Sequence, residues 1–246
     1  MKIAYLDCFS GVSGDMFLGA LLDAGLSIDE LEEGLQRLPL EGYRLEVKRE
    51  KRCGISGTRM RVICDGDKQV HRNLGVIRDI IRQGDLGREV EEKSIRVFED
   101  LARVEGKIHD LPAEEIHFHE VGAVDSIVDI VGVMYGMERL GVRSLCVSEL
   151  PLGSGFVETA HGRIPVPAPA SIALLKGLPV YDSGIPHEMV TPTGAALVKN
   201  LARSFGPMPT MRPEKIGYGA GKRDLPDRPN LLRIIIGEQA PEQEAD

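Results

Sequence analysis

The sequence contains no tryptophan, and aromatic residues fill only 4% of its 246 positions. That scarcity argues against stacking platforms for nucleic-acid bases and against aromatic cages for organic cations. Cysteine pairs are also missing: Cys8, Cys53, Cys64 and Cys146 include no Cys-x-x-Cys spacing, so neither a zinc finger nor a thioredoxin-type motif is supported. All four read as reduced thiols, with Cys8 the one whose loop setting leaves a chemical role open. An excess of positive charge is absent too. With 38 acidic against 30 basic residues the net charge is -8, which offers no attraction to nucleic acid or to an anionic membrane surface. No apolar run reaches bilayer-spanning length. Asp7 interrupts the first apolar stretch, where a secretory signal would need its hydrophobic region, so a cytoplasmic location is expected.

What is present is a globular composition, 42% hydrophobic and 28% charged, long enough to bury a substantial core. A strand over Ile3 to Leu6 leads through a loop into a helix from about Met16 to Ala24, closed by Gly25. A helix near Ile28 to Leu38 precedes two alternating segments, Tyr43 to Glu50 and Thr58 to Cys64, which predict a hairpin turning through Cys53 to Gly57. Two apolar stripes, Leu74/Ile77/Ile81 and Ile95/Phe98/Leu101/Ala102, predict helical structure between Asn73 and Gly106. The segment Val124 to Leu140 is apolar around most of its circumference and should be a central helix. A strand over Leu145 to Leu150, a Gly/Pro-rich connection through Pro169, a short helix over Ala170 to Leu175, a strand near Val180, a helix from Pro192 to Phe205 and a strand from Leu231 to Ile236 follow. The expected fold class is α+β, a mixed sheet packed with helices, in one domain over residues 1–237, with two lobes as a variant. Residues 238–246 read as a polar linker or disordered tail.

Three segments carry candidate chemistry. The strand-to-helix loop Asp7-Cys8-Phe9-Ser10-Gly11-Val12-Ser13-Gly14-Asp15 offers backbone N–H groups at a helix N-terminus, suited to phosphate or carboxylate. It lacks the lysine of a P-loop, and a capped turn is the plain alternative. In His117-Phe118-His119-Glu120 the two imidazoles share a face of an extended segment, with a carboxylate close by. A surface His-x-His is the plain alternative there. Asp125 and Asp129 follow at i and i+4 on an otherwise apolar helix, where a cation, an arginine or a set of donors should meet them. Thr191-Pro192-Thr193-Gly194 has the form of a helix start and is a second candidate anion site. His71, His161 and the stretch Gly217 to Asp224, read as a flexible glycine loop with two basic residues, are weaker signals. One cleft holding both Asp7 and the His117/His119/Glu120 group is the economical expectation.

Five ordered segments together resemble one family, the LarC-type nickel-insertion proteins. They are Asp7 to Met16, His117 to Asp125, His161-Gly162 with Pro165 to Ala170, Thr191 to Ala195, and Gly217 to Gly221. The resemblance implies a CTP-dependent cyclometallase of the lyase or chelatase class that serves lactate racemase maturation. Such an enzyme inserts nickel into pyridinium-3,5-bisthiocarboxylic acid mononucleotide and forms the nickel-pincer nucleotide. It implies nickel handled by His117, His119 and Glu120, a base among Glu120, Asp125, His119 and Asp7, and nucleotide contacts from Ser10, Gly11, Ser13, Gly14, Asp15, Thr191, Thr193 and Gly194. CTP, with magnesium or manganese, would be bound by a C-terminal domain beyond this chain, which then reads as the N-terminal portion. Homo-oligomerisation stays open, and no nucleic-acid or membrane partner is expected. A metal-dependent phosphohydrolase and a non-enzymatic nickel metallochaperone are the competing readings.

Overall fold

The computed structural model describes residues 1–64, 72–118, 123–159, 162–225 and 227–240. In chain order the first elements are β1 (Lys2–Asp7), α1 (Gly14–Asp23), α2 (Ile28–Leu35), β2 (Tyr43–Arg52), β3 (Ile55–Cys64), β4 (Arg72–Asn73), α3 (Leu74–Gln83) and α4 (Arg88–His109). A single 3₁₀ turn then leads to β5 (His117–Phe118), α5 (Val124–Arg139), β6 (Ser144–Val147), β7 (Leu150–Leu152), β8 (Phe156–Thr159) and β9 (Gly162–Pro165). The chain continues through α6 (Pro169–Leu174), β10 (Val180–Asp182), α7 (Pro192–Leu201), β11 (Ala202–Phe205), β12 (Met211–Ala220) and β13 (Leu231–Gln239). The expected α+β class with a mixed sheet and a central apolar helix is what forms.

Seven strands make the main sheet, in the order β11-β6-β1-β13-β12-β3-β2. β11, β6 and β1 run parallel, and β13 is antiparallel to both β1 and β12. β12 meets β3 in a parallel pairing at Gly219 and Thr58. The β2–β3 hairpin turns on Cys53 and Gly54 alone, both at positive φ (47° and 81°), as a two-residue turn between right-twisted strands requires. Ile55, Ser56 and Gly57, expected in the turn, are therefore strand.

The core lies between this sheet and the helices. In α5 the side chains of Ile127, Val128, Ile130, Val131 and Val133 are fully sealed from solvent; burying a side chain of this size is worth about 1.5–3 kcal/mol. Gly132 lets α1 and α2 approach, since a Cβ there would lie 2.9 Å from a Leu18 methyl and 3.4 Å from one of Leu31. Asp23, at the end of α1, ties that helix to the sheet: it accepts from Arg49, from the Thr58 hydroxyl at 2.9 Å and from the Tyr218 N–H at 2.8 Å.

Several boundaries differ from the sequence reading. Gly217 and Gly219 are part of β12, not of a glycine loop. A Cβ at Gly219 would sit 1.8 Å from the Met16 carbonyl oxygen and one at Gly217 2.1 Å from that of Ala20, so these glycines let α1 lie directly on the strand. The helix expected to reach Phe205 stops at Leu201, and Ala202–Phe205 turns to pair with β6. The single strand expected over Leu145 to Leu150 divides, because β7 leaves the main sheet to pair with β10. The Gly/Pro-rich connection carries the β8–β9 hairpin. β13 continues to Gln239, two residues into the stretch read as tail.

Candidate functional site

Three helices begin at one place, and the local sequence explains why. Gly11 takes φ +92° and lies so close to Met189 that a Cβ would fall 1.9 Å from its carbonyl oxygen. The Val12 N–H then donates to the Met189 carbonyl at 2.9 Å, and the Thr191 N–H to the Val12 carbonyl at 3.2 Å. This parallel bridge sets the loops before α1 and α7 side by side. Gly194 completes the approach, since a Cβ there would lie 2.2 Å from the Val12 carbonyl oxygen. α5 arrives from the other side: a Cβ at Gly14 would lie 2.6 Å from Asp129 Oδ2.

A cavity of about 610 Å³ opens where these helices start, within the range of small-molecule sites and large enough for a mononucleotide. Ser13, Gly14, Asp15, Asp125, Ser126, Asp129, Glu188, Thr191, Pro192 and Thr193 line it from the helical side. Glu50, Arg52, Arg59, Arg61 and Lys222 line it from the hairpin side and the loop after β12. A neighbouring hollow of about 240 Å³ shares Ser13, Asp15, Glu188, Thr191 and Lys222 and extends to Ser10, His187 and Asn230.

The donors available to a ligand are specific. The Gly11 N–H is used by the Cys8 carbonyl at 2.8 Å and that of Val12 by Met189, so these two are not offered to a ligand, whereas the first-turn N–H groups of Gly14 and Asp15 have no intrahelical partner. In α7 the Thr191 hydroxyl accepts from the Gly194 N–H at 3.1 Å, and Pro192 has no N–H, which leaves Thr193 as that helix's cavity-side donor. The two loops proposed as alternative anion sites are thus adjacent parts of one wall.

Acidic groups dominate the helical wall. Burial pushes the Asp129 carboxyl well above its ordinary range; the charges of Asp15 and Asp125 push it the same way, and Arg59 offsets only part. Asp129 Oδ1 is sealed from solvent and has no hydrogen-bond partner among the described residues. Asp125 is also raised, first by enclosure and then by Asp15, against the Ser126 N–H that donates to its Oδ1 at 2.8 Å. Arg59 stands opposite, with Nη2 3.4 Å from Asp15 Oδ2 and Nη1 donating to the Ala220 carbonyl at 3.2 Å. Asp15 also accepts from the Ser13 hydroxyl and, at 2.9 Å, from the Met16 N–H.

Of the residues singled out from sequence, Ser13, Gly14, Asp15, Asp125, Thr191 and Thr193 share the cavity wall. Gly11 and Gly194 shape it from behind. Ser10 is buried and donates its hydroxyl to the Pro229 carbonyl at 2.7 Å, bordering the smaller hollow. Asp7 is not on either wall: one of its oxygens accepts from two nitrogens of Arg233. Cys8 is sealed from solvent, and burial followed by the Asp7 charge raises its thiol far above the usual range, which makes it an unreactive core residue. The backbone of His117 pairs with Asn73. His119, Glu120, His71 and His161 lie outside the described residues, so the expected sharing of one cleft with Asp7 is not drawn for them. Among the described residues no group of three His, Cys, Asp or Glu side chains is placed to hold a metal ion, and no helix is long and apolar enough to cross a membrane. Sequence reasoning missed Arg52, Arg59 and Arg61. The available signal was the i, i+2 spacing of Arg59 and Arg61 in β3, which puts both guanidinium groups on one face of the strand.

Fold and cavity describe an α+β protein with a cavity of small-molecule size lined by side chains of both charge signs. The sequence comparisons then place it: the chain belongs to the nickel insertion protein family, whose match runs over residues 4–246. A relative from Syntrophobacter fumaroxidans is 52% identical over 241 residues, 98% of this chain and 62% of its own length. The pyridinium-3,5-bisthiocarboxylic acid mononucleotide nickel insertion proteins of Desulfitobacterium hafniense and Geobacillus kaustophilus are 51% and 46% identical, over 98% and 97% of this chain and 60% of theirs. The chain therefore spans about three fifths of the length of these relatives. No solved structure matches it.

Proposed function

We propose that this chain is the nucleotide-binding and nickel-handling portion of an enzyme that inserts nickel into pyridinium-3,5-bisthiocarboxylic acid mononucleotide. The observation that carries the reading is the mixed charge of the cavity. A pyridinium mononucleotide has a cationic ring, anionic thiocarboxylates and a phosphate. The carboxyl groups of Asp15 and Asp125 on the helical wall suit the ring. Arg52, Arg59, Arg61 and Lys222, with the first-turn N–H groups of α1 and α7, suit the anionic groups. Two relatives that act on this nucleotide by name support the same assignment.

The chemistry follows from those residues. Forming the nickel–carbon bond replaces a ring C–H, so a proton must leave, and Asp125 is the cavity-side carboxylate whose raised basicity fits that task. Nickel is a substrate here. Imidazole and carboxylate donors hold it less tightly than a closed thiolate cage would and suit its release, which keeps His117, His119 and Glu120 as the donors we assign to it. CTP and its divalent cation belong in this account to the further length of the relatives; no step in this chain's cavity is assigned to them. A cytoplasmic setting and a place in lactate racemase maturation complete the proposal.

Titrating the nucleotide into wild-type and Arg61→Ala chains tests the cavity. Arg61 is half exposed, so its loss should leave the fold intact. The expected change is a roughly tenfold weaker affinity, about 1.4 kcal/mol. Unchanged affinity would place the nucleotide elsewhere. Phosphate release from the nucleotide without nickel would favour a phosphohydrolase instead.

A further inference from the structure

Asp129 is the group in this cavity that the proposed chemistry does not use. It stands one turn deeper in α5 than Asp125, with Oδ2 seated against the Cα of Gly14, where a side chain of any size would strike it. Its Oδ1 is sealed and unpaired. Two further carboxyls, Asp15 and Asp125, and one guanidinium, Arg59, are the charged groups that act on it. A carboxylate with one oxygen sealed and unpaired in such company would be a poorly compensated charge, which is costlier than a neutral acid in the same place. A neutral carboxyl has a hydroxyl to give; Oδ1 is the sealed oxygen, which leaves Oδ2 as the one through which Asp129, a lining residue of the cavity, can reach a ligand.

We propose that Asp129 is a ligand-binding group of this cavity, donating its carboxyl hydroxyl to an anionic acceptor, a thiocarboxylate or carboxylate atom, on the ring of the bound nucleotide. The inference rests on the substrate reading given above and adds to it the residue that recognises the ring's anionic substituent. Arginine could meet such a group from the hairpin wall, but on the helical wall the neighbouring groups are themselves acidic. The Ser13 hydroxyl on that wall already donates to Asp15, and a protonated Asp129 adds a further donor without adding charge. Gly14 is then required for a second reason, since it keeps space for the carboxyl to reach the cavity.

Two measurements test this. The first is the infrared difference between wild-type and Asp129→Asn chains at neutral pH, which should show a protonated carboxyl stretch in the wild type alone. The second is titration of pyridinium-3,5-bisthiocarboxylic acid mononucleotide into wild-type, Asp129→Leu and Asp129→Asn chains. Leucine, which cannot donate, should weaken binding at least tenfold, and asparagine, which donates without a charge, should recover all but about threefold of that loss. Asparagine as damaging as leucine would show that the carboxylate charge is what matters, as for a metal ligand or a base, and would overturn the inference. Leucine as good as aspartate would reduce Asp129 to a space-filling residue and overturn it too. A wild type that binds the nucleotide without the carboxyl band overturns this inference alone. A wild type with the band and no affinity for the nucleotide overturns the proposed function and, with it, the ligand assigned to Asp129.

Discussion

At the scale of single residues the cavity is governed by what its carboxyls can afford to ionise. Asp129 has a folded-state value raised above the ~3.9 of an unfolded aspartate. Between those two values the unfolded chain has released a proton that the folded chain keeps, so this residue's contribution to stability falls as pH rises. Asparagine has no such dependence. The melting temperature of Asp129→Asn should therefore gain on the wild type as pH rises above the unfolded value, and a difference that stays flat would show that the carboxyl ionises normally. Asp100 behaves oppositely. Burial alone would raise it, but hydrogen bonds from Lys199 and Asn200 outweigh that and hold it below its ordinary value. The tie it makes between α4 and α7 is present above the unfolded value and is lost as pH falls through the folded one. For nickel, replacing His117 and His119 together by alanine should weaken binding by more than tenfold, about 1.4 kcal/mol, with thermal unfolding little changed. Calorimetric titration giving equal affinities would remove both imidazoles from the metal site.

At the scale of elements, the site depends on close backbone approach. Gly219→Ala puts a methyl 1.8 Å from the Met16 carbonyl. It should cost at least about 3 kcal/mol, at the upper end of overpacking, because neither α1 nor β12 can give way without moving the cavity. Denaturant unfolding of that variant with wild-type stability would contradict the packing described. The same glycines show where sequence reading stops. β1, α1 and α5 were legible because their apolar patterns are local properties of the chain. β12 was not: the reason for glycine at 217 and 219 is a helix two hundred residues away, and without it the stretch reads as a loop. The β11 segment read as helix because nothing local separates Ala202 to Phe205 from the turn before it; its pairing with β6 decides. The paired acids of α5 were legible as needing a partner, but the nearest guanidinium, Arg59, pairs with Asp15 and only partly offsets the burial of Asp129; neither the strand that supplies it nor that sharing was legible.

At the scale of the whole molecule, the sheet carries β3 and the α1 loop to one end, and α5 and α7 converge on that end from the helical layer, so the cavity is a product of the fold rather than of any one motif. Ser13 to Asp15, Asp125 and Thr191 to Thr193 stand far apart in sequence and line one wall. Three of the five segments that carry the family resemblance contribute residues to that wall. The central claim is that this cavity serves nickel insertion into a pyridinium bisthiocarboxylate nucleotide. Mass spectrometry tests it most directly, on the chain incubated with nickel, CTP and the nucleotide, alone and joined to the C-terminal part of a longer relative. The account predicts that the joined protein yields a nucleotide heavier by nickel less its displaced protons, and that the chain alone binds the nucleotide and nickel. A joined protein that leaves the nucleotide free of nickel, while the same C-terminal part joined to the relative's own first portion inserts it, would contradict the account.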